Sequence, residues 1–231
     1  MNSGLCQAFV LHRRPYRETS FLVDIFSAEQ GRQSLVAKGV RSAKSANRSL
    51  LQPFQPIELC LVGKHELKTL RSVESAGQHF QLQGNALFCG LYLNELLQRL
   101  LPSELPFPAL FHAYQQCLQQ LCAGEAIEPI LREYELLLLS QLGYELDFVN
   151  EAESGAPIEP LQRYRFEHEM GFVRVLHNAP VCFEGDQLLA IGRADWHPQS
   201  LKAAKLLTRL ALRPLLGDKP LKSRELFISG Q

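Results

Sequence analysis

Five short apolar runs, separated by turn residues, occupy the first third of the chain and constrain its fold more than any other feature. Each run has the length of a strand and is rich in β-branched or aromatic residues. The runs are LCQAFVLHRR, TSFLVDIFS, RQSLVAK, FQPIELCLV and HELKTLRSV, all between residues 5 and 73. Five strands in so short a segment predict a small closed or half-closed barrel.

A basic loop lies between the third and fourth runs, in LVAKGVRSAKSANRSLLQPF at residues 35–54. Lys38, Arg41, Lys44 and Arg48 recur there every three or four residues with no acidic residue among them. Glycine and small polar residues surround them, which is typical of a mobile, solvated loop. Lysine and arginine at this spacing can pair with successive phosphates of a polyanion. A solvated linker is the alternative interpretation of the loop taken by itself.

Other residues of the predicted barrel extend this positive surface. In the five-stranded oligonucleotide-binding (OB) barrel, one face and two loops bind a nucleic-acid strand; the alternation also fits an SH3-like barrel. Phe9, Phe21 and Phe26 lie within apolar runs and are predicted to be core. Tyr16 lies in a turn, where it either stacks on an unpaired base or packs against Pro15. The candidate nucleic-acid-binding residues are Lys38, Arg41, Lys44, Arg48, Arg71, Arg13, Arg14 and Tyr16.

The formal net charge of zero conceals a segregation of charge along the chain. Residues 1–80 contain eleven Lys and Arg against six Asp and Glu, a net charge of +5. Residues 81–160 contain two against eleven, or −9, and residues 161–231 contain eleven against seven, or +4. Segments of opposite charge predict surfaces with different partners, one of them anionic.

Near residue 80 the apolar spacing changes from two to three or four residues, which predicts a domain boundary. Residues 1–80 form the predicted OB-fold domain and residues 81–231 a mainly α-helical bundle domain, so the fold class is α+β. Helices are predicted at residues 86–101, 108–121, 128–142 and 201–216. A flexible acidic linker and a small hairpin are predicted as an insertion at about residues 143–176.

Several longer stretches resemble the RecO family of bacterial recombination mediators. These are ETSFLVDIFSAEQGR, AKGVRSAKS followed by LLQPF, LKTLRSVES, GLYLNELLQRLL, YELLLLSQLGYELDF and AAKLLTRLALRPLLGDKPLKSRELF. The resemblance covers nearly the whole chain and implies an OB-fold barrel followed by a helical domain. It also implies binding of single- and double-stranded DNA, annealing of complementary strands, docking on the acidic tail of single-stranded-DNA-binding protein, and cooperation with RecR to load RecA at gaps.

Many members of that family carry a four-cysteine zinc motif near residues 143–162, but this chain has no cysteine between Cys122 and Cys182. We therefore predict no metal and no cofactor, and expect packing to hold that region instead. The six cysteines include no CxxC pair, which also argues against a disulfide framework. The motifs GxxxxGKS/T, GxSxG and HExxH are absent, so the chain is predicted not to be an enzyme.

Two alternative functions stay open at this point. One is an RNA-binding or ribosome-associated OB-fold protein, and the other is a metal-dependent nuclease whose residues follow no recognised motif. The amino terminus lacks the pattern of a signal peptide, and no apolar run approaches the roughly 20 residues of a membrane span. We expect a cytoplasmic, nucleoid-associated protein.

A receptor for an acidic tail that ends in an apolar residue needs a hydrophobic pocket bordered by cations. Arg132 is one of only two basic residues in the acidic middle segment. It is predicted to bind the tail of single-stranded-DNA-binding protein together with Lys205 and Arg209 of the last helix. A local ion pair is the alternative role, because Glu128 lies four residues before Arg132.

Overall fold

The computed structural model describes residues 5–42, 45–63, 65–176 and 180–229, of which residues 227–229 are described by their backbone alone. The chain forms two compact units. The first consists of Met1–Glu125 together with Pro220–Gln231, and the second of Ala126–Lys219. The division into domains at residues 80 and 81 stays a prediction, since the compact units group the first long helices with the barrel.

The five predicted strands form a closed barrel in the first unit. They are β1 (Cys6–Tyr16), β2 (Ser20–Ser27), β3 (Gly31–Ala37), β4 (Ile57–Val62) and β5 (Leu67–Ser75). The order around the barrel is β1-β2-β3-β5-β4, with β3 and β5 parallel and the other neighbouring pairs antiparallel. This five-stranded barrel is the OB fold, so the predicted fold class is confirmed.

Helices follow the barrel, as predicted, and one short helix, α1 (Asn47–Leu50), lies within it between β3 and β4. The helices described after the barrel are α2 (Gly84–Leu100), α3 (Pro108–Ala123), α4 (Ile127–Gln141), α5 (Gly185–Gly192), α6 (Pro198–Leu216) and α7 (Ser223–Ser229). The four predicted helices correspond to α2, α3, α4 and α6, and their ends differ by at most three residues. None of the described helices combines the length and apolar character needed to cross a bilayer.

Alternate side chains of the strands fill the barrel or face the helices, because successive residues of a strand point to opposite sides. Phe21 and Val23 belong to the barrel interior. On the other side, Phe9 and Phe26 contact Phe111 of α3 at ring-centroid distances of 5.6 and 5.5 Å. The prediction that all three phenylalanines of these strands are core residues is confirmed, since none is more than 9% exposed.

A buried polar contact joins α2 and α3 to the barrel where β1 contains a bulge. The pairing of β1 with β2 shifts between Val10 and His12. Asn94 Nδ2 donates to the Leu11 carbonyl oxygen at 3.1 Å, and the Tyr114 hydroxyl donates to Asn94 Oδ1 at 2.6 Å. Burial raises the pKa of the Tyr114 phenol, so this hydroxyl stays protonated and available as a donor.

The second unit contains a small antiparallel sheet against α5 and α6. Its strands are β6 (Arg163–Glu167), β7 (Gly171–Arg174) and β8 (Phe183–Glu184), in the order β7-β6-β8. The predicted hairpin corresponds to β6 and β7. Tyr164, Phe172 and Phe183 of the sheet form one buried cluster with Leu188 of α5 and Leu207 of α6.

Residues 143–162, predicted as a flexible acidic linker, instead carry defined contacts. Ile158 is buried in the cluster of the second unit. The Tyr164 hydroxyl accepts a hydrogen bond from the Glu159 amide at 2.9 Å. Asp147 accepts hydrogen bonds from two backbone amides that follow it, which lowers the pKa of its carboxyl. Acidic residues with Gly and Pro are as typical of tight turns as of linkers, so composition does not distinguish the two.

Candidate nucleic-acid interface

The basic loop is anchored to the barrel by apolar side chains that lie before Arg41 and after Arg48. Val40 is 3% exposed and Leu51 is fully buried, and both belong to the barrel interior. The Arg41 amide donates to the Thr19 carbonyl oxygen at 3.0 Å, which joins the loop to the turn between β1 and β2. The described part of the loop is therefore a structured end of the barrel and not an independent linker.

Arg13 lies on the inner side of this barrel end. Because of the bulge in β1, it falls opposite Val23, an interior residue of β2. Its Cζ lies over the ring of Phe21, 5.0 Å from the centroid. Burial lowers the pKa of the Arg13 guanidinium, and the neighbouring charge of Arg48 lowers it further.

The Arg13 guanidinium binds the end of α1. Nη1 donates to the carbonyl oxygens of Arg48 at 3.0 Å and Leu51 at 2.9 Å. Nη2 donates to Gln52 Oε1 at 2.8 Å. The last carbonyls of a helix have no partner within the helix, so a guanidinium placed there satisfies two of them at once.

Four arginines form a connected series, which we call the arginine network: Arg13, Arg48, Arg41 and Arg17. Arg13 Nη1 donates to the carbonyl oxygen of Arg48 at 3.0 Å, Arg48 Nη1 to that of Arg41 at 3.1 Å, and Arg41 Nη1 to that of Arg17 at 2.7 Å. The guanidinium of Arg17 lies over the ring of Tyr16, 5.3 Å from the centroid. Carbonyl groups hold the side chains of Arg13, Arg48 and Arg41 without neutralising their charge.

Within the described part of the chain, the side chains of the arginine network form no ion pair with a carboxylate. Ion pairs of the first unit, such as Lys68–Glu104 at 2.6 Å and Arg99–Glu95 at 3.9 Å, involve other residues. A cluster of like charges without counter-charges produces a positive potential that attracts anions. This end of the barrel is therefore suited to bind phosphate groups.

The structure brings several of the predicted nucleic-acid-binding residues together. Those joined by the arginine network are Arg13, Tyr16, Arg41 and Arg48. Lys38 is exposed at the start of the loop, Arg14 is exposed on β1, and Arg71 is exposed on β5, the strand that α1 contacts. Lys44 lies outside the described residues. Contact of each residue with nucleic acid stays a prediction.

Two members of this cluster are missing from the sequence prediction. Arg17 was detectable, because it follows Tyr16 directly in RPYRE. This stretch is only partly a turn: Tyr16, predicted in the turn, is the last residue of β1, and the turn begins at Arg17. Gln52, which accepts from Arg13, has no sequence signal, since its role depends on the fold of the loop back onto β1.

Much of the outer face of β2 and β3 is covered by α2 and the segment after it. Gln98 Nε2 donates to Asp24 Oδ2 at 2.7 Å, and Arg32 Nε donates to the Leu101 carbonyl oxygen at 2.8 Å. OB-fold proteins commonly bind their ligands on this strand face together with the adjoining loops. In this chain the barrel end with the arginine network, which includes the turn between β1 and β2, has exposed cations at Arg17 and Arg14.

Arg132, predicted to bind the tail of single-stranded-DNA-binding protein, is buried, with 6% of its surface exposed. Direct contact with a peptide requires an accessible side chain, so Arg132 does not fit that role. Its Nη2 forms an ion pair with Glu135 Oε1 at 2.8 Å, and Glu135 Oε2 accepts a hydrogen bond from Thr208 Oγ1 at 2.5 Å. Glu128 pairs with Lys205 at 3.4 Å instead of with Arg132. Arg132 therefore belongs to the interior of the second unit, because α4 and α6 pack together there.

The cations of α6 lie on its exposed side. They are Lys202, Lys205, Arg209 and Arg213, at spacings of three or four residues. Leu206 lies among them with 40% of its surface exposed. We call these five residues the α6 basic face.

A groove of about 880 Å³ lies elsewhere on the second unit. It is lined by the apolar residues Leu136, Leu137, Leu146, Phe148, Val149 and Leu189, and its charged residues are Glu145, Asp147 and Arg193. The two carboxylates make this groove a poor receptor for an acidic peptide. Among the residues that the structure describes, no three His, Cys, Asp or Glu side chains lie close enough to hold a metal ion.

The barrel is a closed OB fold with a basic loop at one end, and a helical region with a small sheet follows it. These features define a class of OB-fold proteins with a helical carboxyl-terminal part. Residues 1–79 match the family model described as recombination protein O N terminal, and residues 81–225 match recombination protein O C terminal. The chain belongs to the RecO family of DNA repair proteins.

Curated relatives match nearly the full length of the chain. A DNA repair protein RecO of Pseudoalteromonas atlantica is 48% identical over 223 residues, covering 95% of this chain and 92% of its own. A DNA repair protein RecO of Haemophilus influenzae (strain 86-028NP) is 49% identical over 228 residues, covering 98% of this chain and 97% of its own. One from Alteromonas mediterranea is 46% identical over 231 residues, covering 99% of each chain.

Proposed function

We propose that this chain is a non-catalytic mediator of recombinational repair that binds single- and double-stranded DNA with the loop end of its barrel. The observation that carries the proposal is the arginine network, whose charges are held by backbone carbonyls and not by carboxylates. The proposed phosphate ligands are Lys38, Arg41, Lys44, Arg48 and Arg71. Contacts of this kind are available on paired and unpaired strands alike.

Annealing of complementary strands follows from the same contacts. Two strands repel each other through their phosphates, and cations bound along one strand reduce that repulsion. Base pairing then supplies the selectivity and the free energy, so the protein needs neither a cofactor nor a nucleotide. Tyr16 is half-buried beside Arg17, where its ring and the guanidinium offer a surface for stacking an unpaired base.

A salt titration tests the proposed DNA binding. If about four phosphates are contacted, the logarithm of the association constant for a single strand falls against the logarithm of salt concentration with a slope of about −3. Fluorescence anisotropy of a labelled oligonucleotide measures this slope. An RNA strand of the same sequence is the comparison: a flat titration, or tighter binding to RNA than to DNA, contradicts the proposal.

We also propose that the α6 basic face binds the acidic tail of single-stranded-DNA-binding protein. Lys205 and Arg209 are exposed there and supply positive charge, and Leu206 offers an apolar contact for the last residue of the tail. The partner of Lys205, Glu128, forms only a surface ion pair, which costs little to exchange for a carboxylate of the tail. Arg132 supports this face from inside through Glu135 and Thr208.

The double substitution Lys205→Glu/Arg209→Glu is expected to abolish binding of a synthetic tail peptide and to leave DNA affinity at low salt near that of the parent. Isothermal titration with the peptide and anisotropy with the oligonucleotide measure the two activities. The matched control is Lys38→Glu/Arg41→Glu, which makes the same change in charge and is expected to keep peptide binding. Loss of both activities in both variants would show that the two surfaces are one site.

We propose that the chain acts together with RecR to load RecA onto single-stranded gaps that are coated by single-stranded-DNA-binding protein. The proposed localisation is cytoplasmic and nucleoid-associated. The chain's part would be to hold the coating protein by its tail while the barrel end binds the exposed strand. RecA-dependent ATP hydrolysis on coated gapped DNA tests this, because it should begin sooner only when the chain and RecR are both present.

A further inference from the structure

We infer that Arg13 is a positioning residue for the DNA-binding loop: it fixes the end of α1 to the barrel so that Arg48 and Arg41 are presented to phosphates, and it does not bind phosphate itself. The inference rests on the proposed function of that loop. It changes the role of a residue that the sequence places among the direct DNA ligands.

Within the described residues, the side-chain hydrogen bonds of Arg13 are made to the last part of the basic loop, residues 48–52. Its two terminal nitrogens reach the carbonyl oxygens of Arg48 and Leu51 and the Oε1 atom of Gln52, at 2.8 to 3.0 Å. Leu51 is fully buried in the barrel, so Arg13 joins β1 to a segment that is itself anchored. A planar guanidinium can bridge such acceptors at fixed angles, whereas an ammonium acts as a single point of charge.

The location of Arg13 is unfavourable for contact with a nucleic acid. The bulge in β1 turns it toward the barrel interior, over the ring of Phe21, and its side chain is half-buried. Arg14, the next residue, is exposed and pairs with Leu22 on the outer side of the barrel. The two neighbouring arginines thus have the same charge and different surroundings, which makes Arg14 a matched control.

Positioning and phosphate contact predict different effects of salt. Loss of a phosphate ligand reduces the number of counterions released, so it changes the salt slope. Loss of a positioning residue leaves the same phosphates bound in the complex, but the loop must then be ordered during binding. That cost lowers the affinity at every salt concentration and leaves the slope unchanged.

The experiment compares Arg13→Lys, Arg13→Gln, Arg14→Lys, Arg14→Gln and Arg48→Gln in the salt titration with single-stranded DNA. We expect both Arg13 variants to lose affinity about ten-fold with the slope of the parent. Arg48→Gln and Arg14→Gln each remove the charge of a predicted DNA-binding residue and should reduce the magnitude of the slope by about 0.7. Arg14→Lys keeps that charge and should keep most of the affinity, in contrast to Arg13→Lys. Parent-like binding by Arg13→Lys, or a reduced slope in Arg13→Gln, would overturn the inference.

Limited trypsin digestion without DNA gives a second readout. Cleavage within residues 38–48 is expected to be several-fold faster in both Arg13 variants than in the parent and in the Arg14 variants, since the loop is less firmly held. Gln52→Ala, which removes one acceptor and no charge, should accelerate the same cleavages with an unchanged circular-dichroism spectrum. Unchanged cleavage in all three variants would overturn the inference, even if the parent showed no salt-dependent DNA binding and the proposed function itself failed.

Discussion

The double substitution Lys38→Glu/Arg41→Glu is expected to lower affinity for single-stranded DNA on the order of 100-fold at physiological salt, and to abolish strand annealing. The substitution removes two proposed phosphate ligands and places two carboxylates beside the remaining arginines. These carboxylates would repel the strand and neutralise Arg48. Anisotropy measures the affinity, and fluorescence quenching between two labelled complementary oligonucleotides measures the annealing rate.

The control for this experiment is Lys205→Glu/Arg209→Glu, which changes the charge of the chain equally on the α6 basic face. It is expected to keep DNA affinity and annealing, because the proposed DNA ligands lie on the barrel. Equal losses in the two variants would show that net charge, and not the loop, determines binding. Unchanged annealing by Lys38→Glu/Arg41→Glu would remove the loop from the proposed mechanism.

The second large effect is expected at Arg132, in the stability of the second unit. Replacing it with alanine leaves the Glu135 carboxylate, which is 1% exposed, without its ion-pair partner. Removal of one member of a buried ion pair costs about 3–5 kcal/mol, chiefly because the other charge stays buried. The free energy of unfolding of the second unit should fall by that amount.

Urea denaturation followed by tryptophan fluorescence measures this loss. The chain has a single tryptophan, Trp196, which lies in the second unit and donates to Glu133 Oε1 at 2.7 Å. Lys205→Ala removes only a surface ion pair and should cost no more than about 1 kcal/mol. The double variant Arg132→Met/Glu135→Leu should recover most of the stability, since both charges are gone; no recovery would contradict the assigned ion pair.

The barrel and its basic loop could be predicted from sequence because the signals are local. Apolar residues recur at every second position of β2, at Phe21, Val23 and Ile25, because these side chains face the barrel interior. The cations of the loop lie in a segment without acidic residues. The long helices were equally accessible, since Pro and Gly mark many of their ends.

The roles of Arg13 and Arg132 could not be predicted, because both depend on contacts distant in sequence. From its sequence, Arg13 belongs to the polar end of β1 and is expected to be exposed. The bulge in β1 shifts the alternation of side chains, so that Arg13 faces the barrel interior. Arg132 lies in an acidic segment, where an isolated cation is typical of an exposed charge. Its burial requires α6, whose Thr208 hydrogen-bonds to the same glutamate 73 residues away.

The outer face of β2 and β3, which is covered, has a consequence for the sequence dependence of DNA binding. The hydrogen bonds of Gln98 and Arg32 hold α2 and the segment after it over the strand face on which OB folds commonly bind oligonucleotides. The contacts proposed for this chain, to phosphates and by stacking on Tyr16, do not depend on the order of the bases. Under the proposed function, the chain would therefore bind single-stranded gaps irrespective of their sequence.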